Sequence, residues 1–580
     1  MVAGTDAEAL QISTSWIASL DNAFASNDVD AIVSLFLPDG WLRDLLTFTW
    51  SLRSLHGAPT ISAYLAPTLS NARVRNLALE RGRGILPSFV PGRPVPTVET
   101  AFAFHNAVGP CRGLANLVQN SEGEWKAHTV LMMLDDISGH EEDQGGGYTY
   151  EERTVTWGEL RTREVEKIEQ EPEVVILGAG HSGLQCAARF KRMGIRALVI
   201  EKNSRVGDNW RQRYPSLKLH TPRAHHQFLY ASFPSTWPTW TPRDKLADWI
   251  ESYSKLQDLV VWTNSQILPV PTYDPAVKRW TVQVVREGSE RVLRPAHIVL
   301  ATGTLGDPLV PTIPGQAAFP GPAIHSSSFP GGQAYAGQRV LIVGAGTTAA
   351  DVAQDLVYRG ASSVTILQRS STTVVSIAYN TERLFKRRFP EDVPIGVLDL
   401  RSAATPLGLL KTILQAQQAE AREFDREMIE GLHRAGFATN DGPEGAGQYW
   451  GVLTSLGGFT VDVGCAALIT DGLVKIKHGV DIAKLEEKRV VFGDGSEMEV
   501  DALIYATGYK NIRDCVREIF GSIIDKTSPV WGVDEEGELR GCYKPSGQEG
   551  LWFAAGDFFG PRFYSKQLAL QIKSQLLGIN

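Results

Sequence analysis

The stretch Val174-Val175-Ile176-Leu177-Gly178-Ala179-Gly180-His181-Ser182-Gly183 decides the reading of this 580-residue chain, together with Leu184–Met193, Ala197–Ile200 and Glu201 just downstream. A short apolar run ending in glycines, a helix-spaced segment and a second apolar run make a βαβ unit. Gly178 permits the tight turn, Gly180 lets the backbone touch a pyrophosphate, and Gly183 lets helix and strand pack closely. The helix opened by His181 and Ser182 would turn free N–H groups and a partial positive charge toward phosphates. Glu201, followed by Lys202, ends the second strand where a carboxylate can bind ribose hydroxyls. A Gly-rich turn in an ordinary α/β domain is the plainer alternative, but strand, helix and acid are all in place for a dinucleotide.

A second unit begins at Arg339 with VLIVGAG. Its fingerprint is Gly344-Ala345-Gly346-Thr347-Thr348-Ala349, with alanine in the third place, which the motif allows. Its second strand, VTILQ, is followed by Arg369 and Ser370 instead of an acid. A guanidinium forks onto a phosphate where a carboxylate would repel it, so Arg369 points to NADP(H) over NAD(H). Two apolar strands end in similar small-residue turns, Ala301-Thr302-Gly303 and Ala506-Thr507-Gly508, as needed where a chain passes beside a bound dinucleotide. Near the C-terminus, LWFAAG ends in Asp557, a further turn of this kind.

Composition is that of a globular protein, with 43% hydrophobic and 21% charged residues. A formal charge of −8 argues against a nucleic-acid binder. The five cysteines, Cys111, Cys186, Cys465, Cys515 and Cys542, form no Cys-x-x-Cys pair, and such sparse usage suggests a reducing compartment. MVAGTDAEAL lacks the features of a secretory signal and no apolar stretch is long enough to span a bilayer, so the expected location is cytoplasmic.

The fold class expected is α/β: two nested Rossmann-like dinucleotide units preceded by an α+β unit. Ile12, Trp16, Leu20 and Phe24 recur at helical spacing and Asp30–Leu37 reads as a second helix. Strand-like runs follow at Thr97–Val108, Gly113–Asn120 and Glu124–Leu134. Ser138–Tyr150 reads as an acidic, Gly-rich exposed loop, and Thr154–Glu169 as a helix. The expected boundaries are 1–140 for the α+β unit, 141–172 for a linker, 173–335 and 501–580 for the two parts of the first dinucleotide domain, and 336–500 for the second. A helical insertion is expected at about 384–436.

Between the two units stands Phe319-Pro320-Gly321-Pro322-Ala323-Ile324-His325-Ser326-Ser327-Ser328-Phe329. It resembles the identifying sequence of the class B flavin-dependent monooxygenases, Phe-x-Gly-x3-His-x3-aromatic, at every fixed position. The resemblance runs from about Glu173 to Asn580. It implies FAD in the first unit and NADPH in the second, with reduced flavin taking up O2 as a carbon-4a hydroperoxide and passing one oxygen to substrate. It also implies that His325 links the domains during movement of the nicotinamide. The N-terminal unit, with its segment Gly40–Trp50, is similar to the polyketide-cyclase-like cone domain that precedes some fungal monooxygenases.

The segment Gly207–Pro222 bears on the branch. Tyr214-Pro215 resembles the same pair in Baeyer–Villiger monooxygenases, whereas Leu217-Lys218-Leu219-His220 is most similar to the plant auxin-forming branch. Phe329 and Asp208 both depart from the Baeyer–Villiger pattern. The expected contributions to the cofactor sites here are Asn209, Trp210, Arg211, His220 and Thr221. His220 is also the expected protein group at the reaction centre, either donating to the distal peroxide oxygen or to the nicotinamide amide, or merely orienting the flavin edge. His225, His226, Trp237 and Trp240 form an aromatic strip without convincing metal spacing. The activity expected is NADPH- and O2-dependent oxygenation of a small lipophilic or aromatic substrate, by N/S-oxygenation or oxidative decarboxylation. Baeyer–Villiger insertion or an NADPH oxidase acting as a redox sensor are the alternatives, and a homodimer stays open. A pyridine-nucleotide–disulfide reductase would need the missing Cys-x-x-Cys.

Overall fold

The computed structural model of the chain describes residues 5–145 and 154–580. Helix α1 (Asp6–Ala25) is capped by Thr5, whose hydroxyl accepts from the Glu8 N–H, and buries Trp16, Ile17, Leu20 and Phe24 along one face. Helix α2 (Val29–Ser34) is shorter than the run Asp30–Leu37 predicts. Pro38 has no N–H to give a helix and drives Leu37 into extended backbone, so Phe36–Leu45 becomes strand β1. Strand β2 (Leu52–His56), helix α3 (Ala58–Ala72) and strands β3 (Arg75–Leu79), β4 (Ser88–Phe89), β5 (Thr97–His105), β6 (Pro110–Gln119) and β7 (Trp125–Leu134) follow. The sheet order is β2-β1-β7-β6-β5-β3, with β4 on β5. Only β1 and β7 pair in parallel.

Over its described residues, 138–145, Ser138–Tyr150 is the exposed loop expected of it except at Glu142; residues 146–150 lie outside the described residues. Glu142 is buried, held by Arg189 at 2.6 Å and Lys566 at 2.7 Å. Buried cations require a carboxylate beside them, and that requirement overrides the polar composition. Helix α4 (Trp157–Gln170) then opens with a capping box between Thr156 and Glu159.

The first dinucleotide unit is a parallel sheet. It comprises β8 (Val174–Leu177), β9 (Ala197–Ile200), β10 (Val260–Trp262), His297–Leu300 and Leu551–Phe553, in the order β10-β9-β8-(297–300)-(551–553). Helix α5 (His181–Arg192) crosses from β8 to β9. These strands read as continuous apolar runs because both faces are covered. Ile176, Ile298 and Val299 are fully buried, each contributing about 1.5–3 kcal/mol of transfer free energy.

A second parallel sheet orders Ala323–His325, Ala502–Tyr505, Arg339–Val343, Ser363–Gln368 and Val474–His478. In sequence it lies wholly between the fourth and fifth strands of the first. Its two flanking strands fall outside the expected 336–500, because 323–325 and 502–505 hydrogen-bond into this sheet and not into the first. Beyond it, Ile395–Ala403, Leu407–Phe424 and Arg426–Arg434 form the helical insertion.

The N-terminal unit is clamped onto the rest. Arg43 of β1, 2% exposed, donates to both oxygens of Glu538 at 2.8 and 2.7 Å, to the Ala403 carbonyl at 2.5 Å and to the Tyr564 hydroxyl at 2.9 Å. All five donors of a buried guanidinium need partners, and this arrangement supplies most of them from outside the unit.

Candidate active site

The site forms at the carboxyl ends of the parallel strands, where an open α/β sheet leaves its crevice. In the first unit Gly178 has φ +108, and a side chain there would strike the carbonyl of Ala301. The second unit repeats this: Gly344 has φ +111 and faces the carbonyl of Ala506. Each Ala-Thr-Gly turn therefore closes over the first glycine of its own fingerprint. Gly183 lies against the carbonyl of Gly178, which fixes the close packing of α5 on β8. Above Gly180, by contrast, a Cβ would meet only Asn209 Nδ2, at 3.6 Å. Room is left there for a ligand, and no side chain caps α5, so its first N–H groups face that room.

Glu201 ends β9 with one oxygen accepting the Ala179 N–H at 2.8 Å and the other the Asn203 N–H at 2.9 Å. Each carboxylate oxygen keeps a free lone pair for ribose hydroxyls. Thr304 stitches two turns together, its hydroxyl donating to the Gly556 carbonyl and accepting the Gly556 N–H. This brings Ala301-Thr302-Gly303 beside Asp557. His181 donates from Nε2 to Gly556 O at 3.1 Å and stacks on Phe558, with burial lowering its pKa. These groups fit the pyrophosphate and ribityl chain of FAD. Trp210 Nε1 is buried without a partner, a further donor available to a ligand.

The second crevice is a cavity of about 680 Å³ lined by Gly344, Gly346, Thr347, Thr348, Arg369 and Ser370, with Thr507 and Gly508 on the opposite side. Arg369 is exposed and, among the described residues, has no ion-pair partner. Its guanidinium stands free for a phosphate. The helix Thr347–Tyr358 also starts without a side-chain cap. The donor set fits NADPH.

His325 ties the identifying segment to this cavity. Its Nδ1 accepts the Ser327 N–H at 3.1 Å, which leaves Nε2–H to donate to Gly508 O at 3.0 Å. Burial holds its pKa below the ordinary value.

His220 sits against the helix of the second fingerprint. Its Nε2 lies 3.3 Å from Oδ1 of Asp351, on the helix of the second fingerprint, and Tyr214 donates its hydroxyl to Oδ2 of the same carboxylate at 2.6 Å. Burial beside Asp351 pushes the Tyr214 phenol well above its usual range. The segment Tyr214–His220 is thus fastened across the two units.

Arg211 must be corrected as a cofactor ligand. Its guanidinium donates to the Val206 carbonyl, Asp208, Asp248 and Glu251, which occupies four of its five N–H donors and neutralises its charge. Lys202 and Thr302 are exposed at the rim, and Thr221 turns its hydroxyl to His226 Nε2. Two groups escaped the sequence reading. Asp351 was legible only as an acid inside the small apolar run Ala349–Ala353. His225, grouped with a packing strip, pairs with Asp557 at 3.1 Å. His226 beside it is driven well below its normal pKa by burial and by His225, which favours a neutral ring.

Two parallel nucleotide sheets, one inserted in the other, with a histidine-centred connector between them, define a two-dinucleotide flavoprotein. Residues 175–391 match the model of the pyridine nucleotide-disulphide oxidoreductase family. The chain is 29% identical to indole-3-pyruvate monooxygenase YUCCA1 of Oryza sativa subsp. japonica over 348 residues, covering 59% of this chain and 77% of the relative. It is 30% identical to probable indole-3-pyruvate monooxygenase YUCCA3 of Arabidopsis thaliana over 346 residues, 58% and 73% of the two chains. In fold it is similar to cyclohexanone monooxygenase bound to epsilon-caprolactone, with TM-score 0.52, 18% identity, and coverage of 70% of this chain and 89% of that one. A steroid monooxygenase bound to NADP gives TM-score 0.51 at 17% identity, covering 70% and 85%. The chain belongs to the class B flavin-dependent monooxygenases. It is an NADPH- and O2-dependent enzyme whose cofactors are FAD and NADPH.

Proposed function

We propose that the enzyme transfers one oxygen atom from O2 to a small lipophilic or aromatic substrate, by N/S-oxygenation or oxidative decarboxylation. FAD would be held by Gly178, Gly180, Ser182, Gly183, Glu201, Asn209, Trp210, Gly303 and Asp557. NADPH would be held by Gly344, Gly346, Thr347 and Thr348, with Arg369 and Ser370 on its 2′-phosphate. Bound and reduced, the flavin supplies O2 activation; the protein supplies position and exclusion of water. Phe385 and Phe389 pack edge-on against His225 at 5.1 and 4.8 Å, and Phe558 covers His226 at 4.8 Å, an aromatic wall behind the Asp557 turn.

The observation that carries this reading is the clasp of Tyr214 and His220 on Asp351, because it fixes the first unit against the nicotinamide-binding helix of the second. The relatives named for indole-3-pyruvate favour an aryl keto acid among the substrates to be tried first. The five unpaired cysteines support a reducing, cytoplasmic setting, and no helix among the described residues is long and apolar enough to cross a membrane.

The test is turnover with NADPH and isotopically labelled O2 against amines, sulfides, ketones and aryl-pyruvates, read by mass spectrometry. Label should enter one product class. NADPH consumption that yields only hydrogen peroxide with every compound would support the oxidase alternative instead.

A further inference from the structure

A cavity of about 510 Å³ lies between the N-terminal unit and the helical insertion. Phe89, Glu99 and Leu114 line it from the N-terminal sheet, and Phe385, Leu398, Leu410 and Tyr449 from the other side. Its charge is lopsided. Arg93, Arg383, Arg387, Arg388 and Arg401 face it against a single carboxylate, Glu99. This occurs in a protein of net charge −8.

Most of these cations are engaged. Glu99 is taken up by Arg401 at 2.6 Å, while Arg383 and Arg387 reach Glu420 at 3.5 and 3.4 Å. Neither Arg93 nor Arg388 has an ion-pair partner among the described residues, but Arg93 is exposed, which sets Arg388 apart. It is half-buried, its Nε donates to Ser402 Oγ at 3.4 Å, and its guanidinium lies 5.1 Å from the Tyr449 ring centre. Among the described residues no carboxylate stands within ion-pair distance of it. A half-buried guanidinium with no carboxylate partner gains most from a bidentate anion, which its planar fork matches. The cavity wall also reaches the proposed FAD site, because Phe385 packs on His225 and His225 pairs with Asp557.

We propose that this cavity is the substrate chamber, that the N-terminal unit is one of its walls, and that Arg388 receives the carboxylate of an otherwise apolar substrate. The proposal rests on the monooxygenase reading above and gives its substrate a charge and an N-terminal contact. The N-terminal unit is then a determinant of specificity, which explains why it is clamped by Arg43 and not tethered loosely.

The experiment is equilibrium dialysis on the full-length, FAD-loaded protein without NADPH, using 2-naphthylacetate and its neutral amide as probes. The acid should bind about ten- to a hundredfold tighter than the amide, the range of a charge-assisted bidentate contact. Arg388→Met should bring the acid down to the affinity of the amide, and Arg388→Lys should keep an intermediate preference. Phe89→Ala should weaken acid and amide alike by several-fold, because it trims the N-terminal wall. Unchanged flavin absorbance and unchanged amide binding in Arg388→Met certify its fold. The proposal is overturned if acid and amide bind equally, if neither binds, if Arg388→Met retains the preference, or if Phe89→Ala changes nothing. Binding is read without turnover, so a failed oxygenation assay would count against the monooxygenase reading alone.

Discussion

Removing His220 should slow flavin reduction and leave oxygen transfer intact. Its imidazole meets Asp351 at 3.3 Å, longer than a typical N–H···O bond, whereas Tyr214 donates to the same carboxylate at 2.6 Å. Hydrogen bonds to charged groups are worth about 1.5–3 kcal/mol, and stretching brings the His220 contact to about 1 kcal/mol. At 1.36 kcal/mol per tenfold, His220→Ala should cut the rate of anaerobic reduction by NADPH about fivefold, and Tyr214→Phe by about ten- to a hundredfold. The loss should appear as misplacement of the nicotinamide, because Asp351 sits on the helix that begins at Thr347. Stopped-flow absorbance at the flavin band measures the reduction rate, and peroxide released per NADPH consumed measures coupling. Asp351→Asn should reproduce the double variant His220→Ala/Tyr214→Phe, since all three act through one carboxylate. Normal reduction with abundant peroxide in His220→Ala would refute this and return the imidazole to the oxygen chemistry.

Arg369→Ala should raise the KM for NADPH by about tenfold and leave NADH almost unchanged, the low end of a charged contact because the side chain is exposed; equal losses with both nucleotides would give the arginine to the fold. Gly180→Val should yield folded, colourless protein, because the new side chain meets only Asn209 inside the structure yet fills the pyrophosphate space; a fully yellow variant would move FAD elsewhere. Glu142 gives a pH test. Burial alone would raise its pKa, but Arg189 and Lys566 outweigh this and hold it at about 2. A depressed carboxylate stabilises above its unfolded pKa of about 4.5 and loses that contribution as pH falls toward 2. The stability advantage of the wild type over Glu142→Gln, about 3 kcal/mol near neutral pH and read from Tm, should shrink steadily below pH 4.5; a pH-independent gap would rule out the ion cluster as its source.

The parts legible in the sequence are those whose physics is local. Gly178, Gly180 and Gly183 announce a tight strand-to-helix turn, a candidate for phosphate, because glycine spacing, apolar strand and helix fall within one short stretch. Arg369 is readable as a candidate for a 2′-phosphate because it occupies the slot that Glu201 occupies in the other unit. The pair of Ala-Thr-Gly turns is legible as a theme, and the structure adds that each closes on the first glycine of its own fingerprint. Misreadings arise where tertiary demand overrides composition. Glu142 has the look of a solvated acidic loop, yet Arg189 and Lys566 need a carboxylate. Arg211 has the look of a phosphate ligand, yet three carboxylates already encircle it.

What stays hidden is what joins the units. Tyr214 and Asp351 are 137 positions apart, and Arg43 and Glu538 are 495 apart. No periodicity or motif spacing encodes such pairs; only the path of the folded chain brings them together. Insertion of the second unit into the first makes those pairs necessary. Hydride donor and acceptor sit on two separately built sheets, so each sheet can be complete while their relative placement is still undetermined. Contacts that cross between them must set that placement, and in this chain one carboxylate on the second fingerprint's helix gathers two donors from the first unit. Losing the crossing contact should therefore cost reaction rate well before it costs stability. A search for such residues in related chains should start from acids buried in the first turns of the second fingerprint helix, not from the glycine motifs themselves.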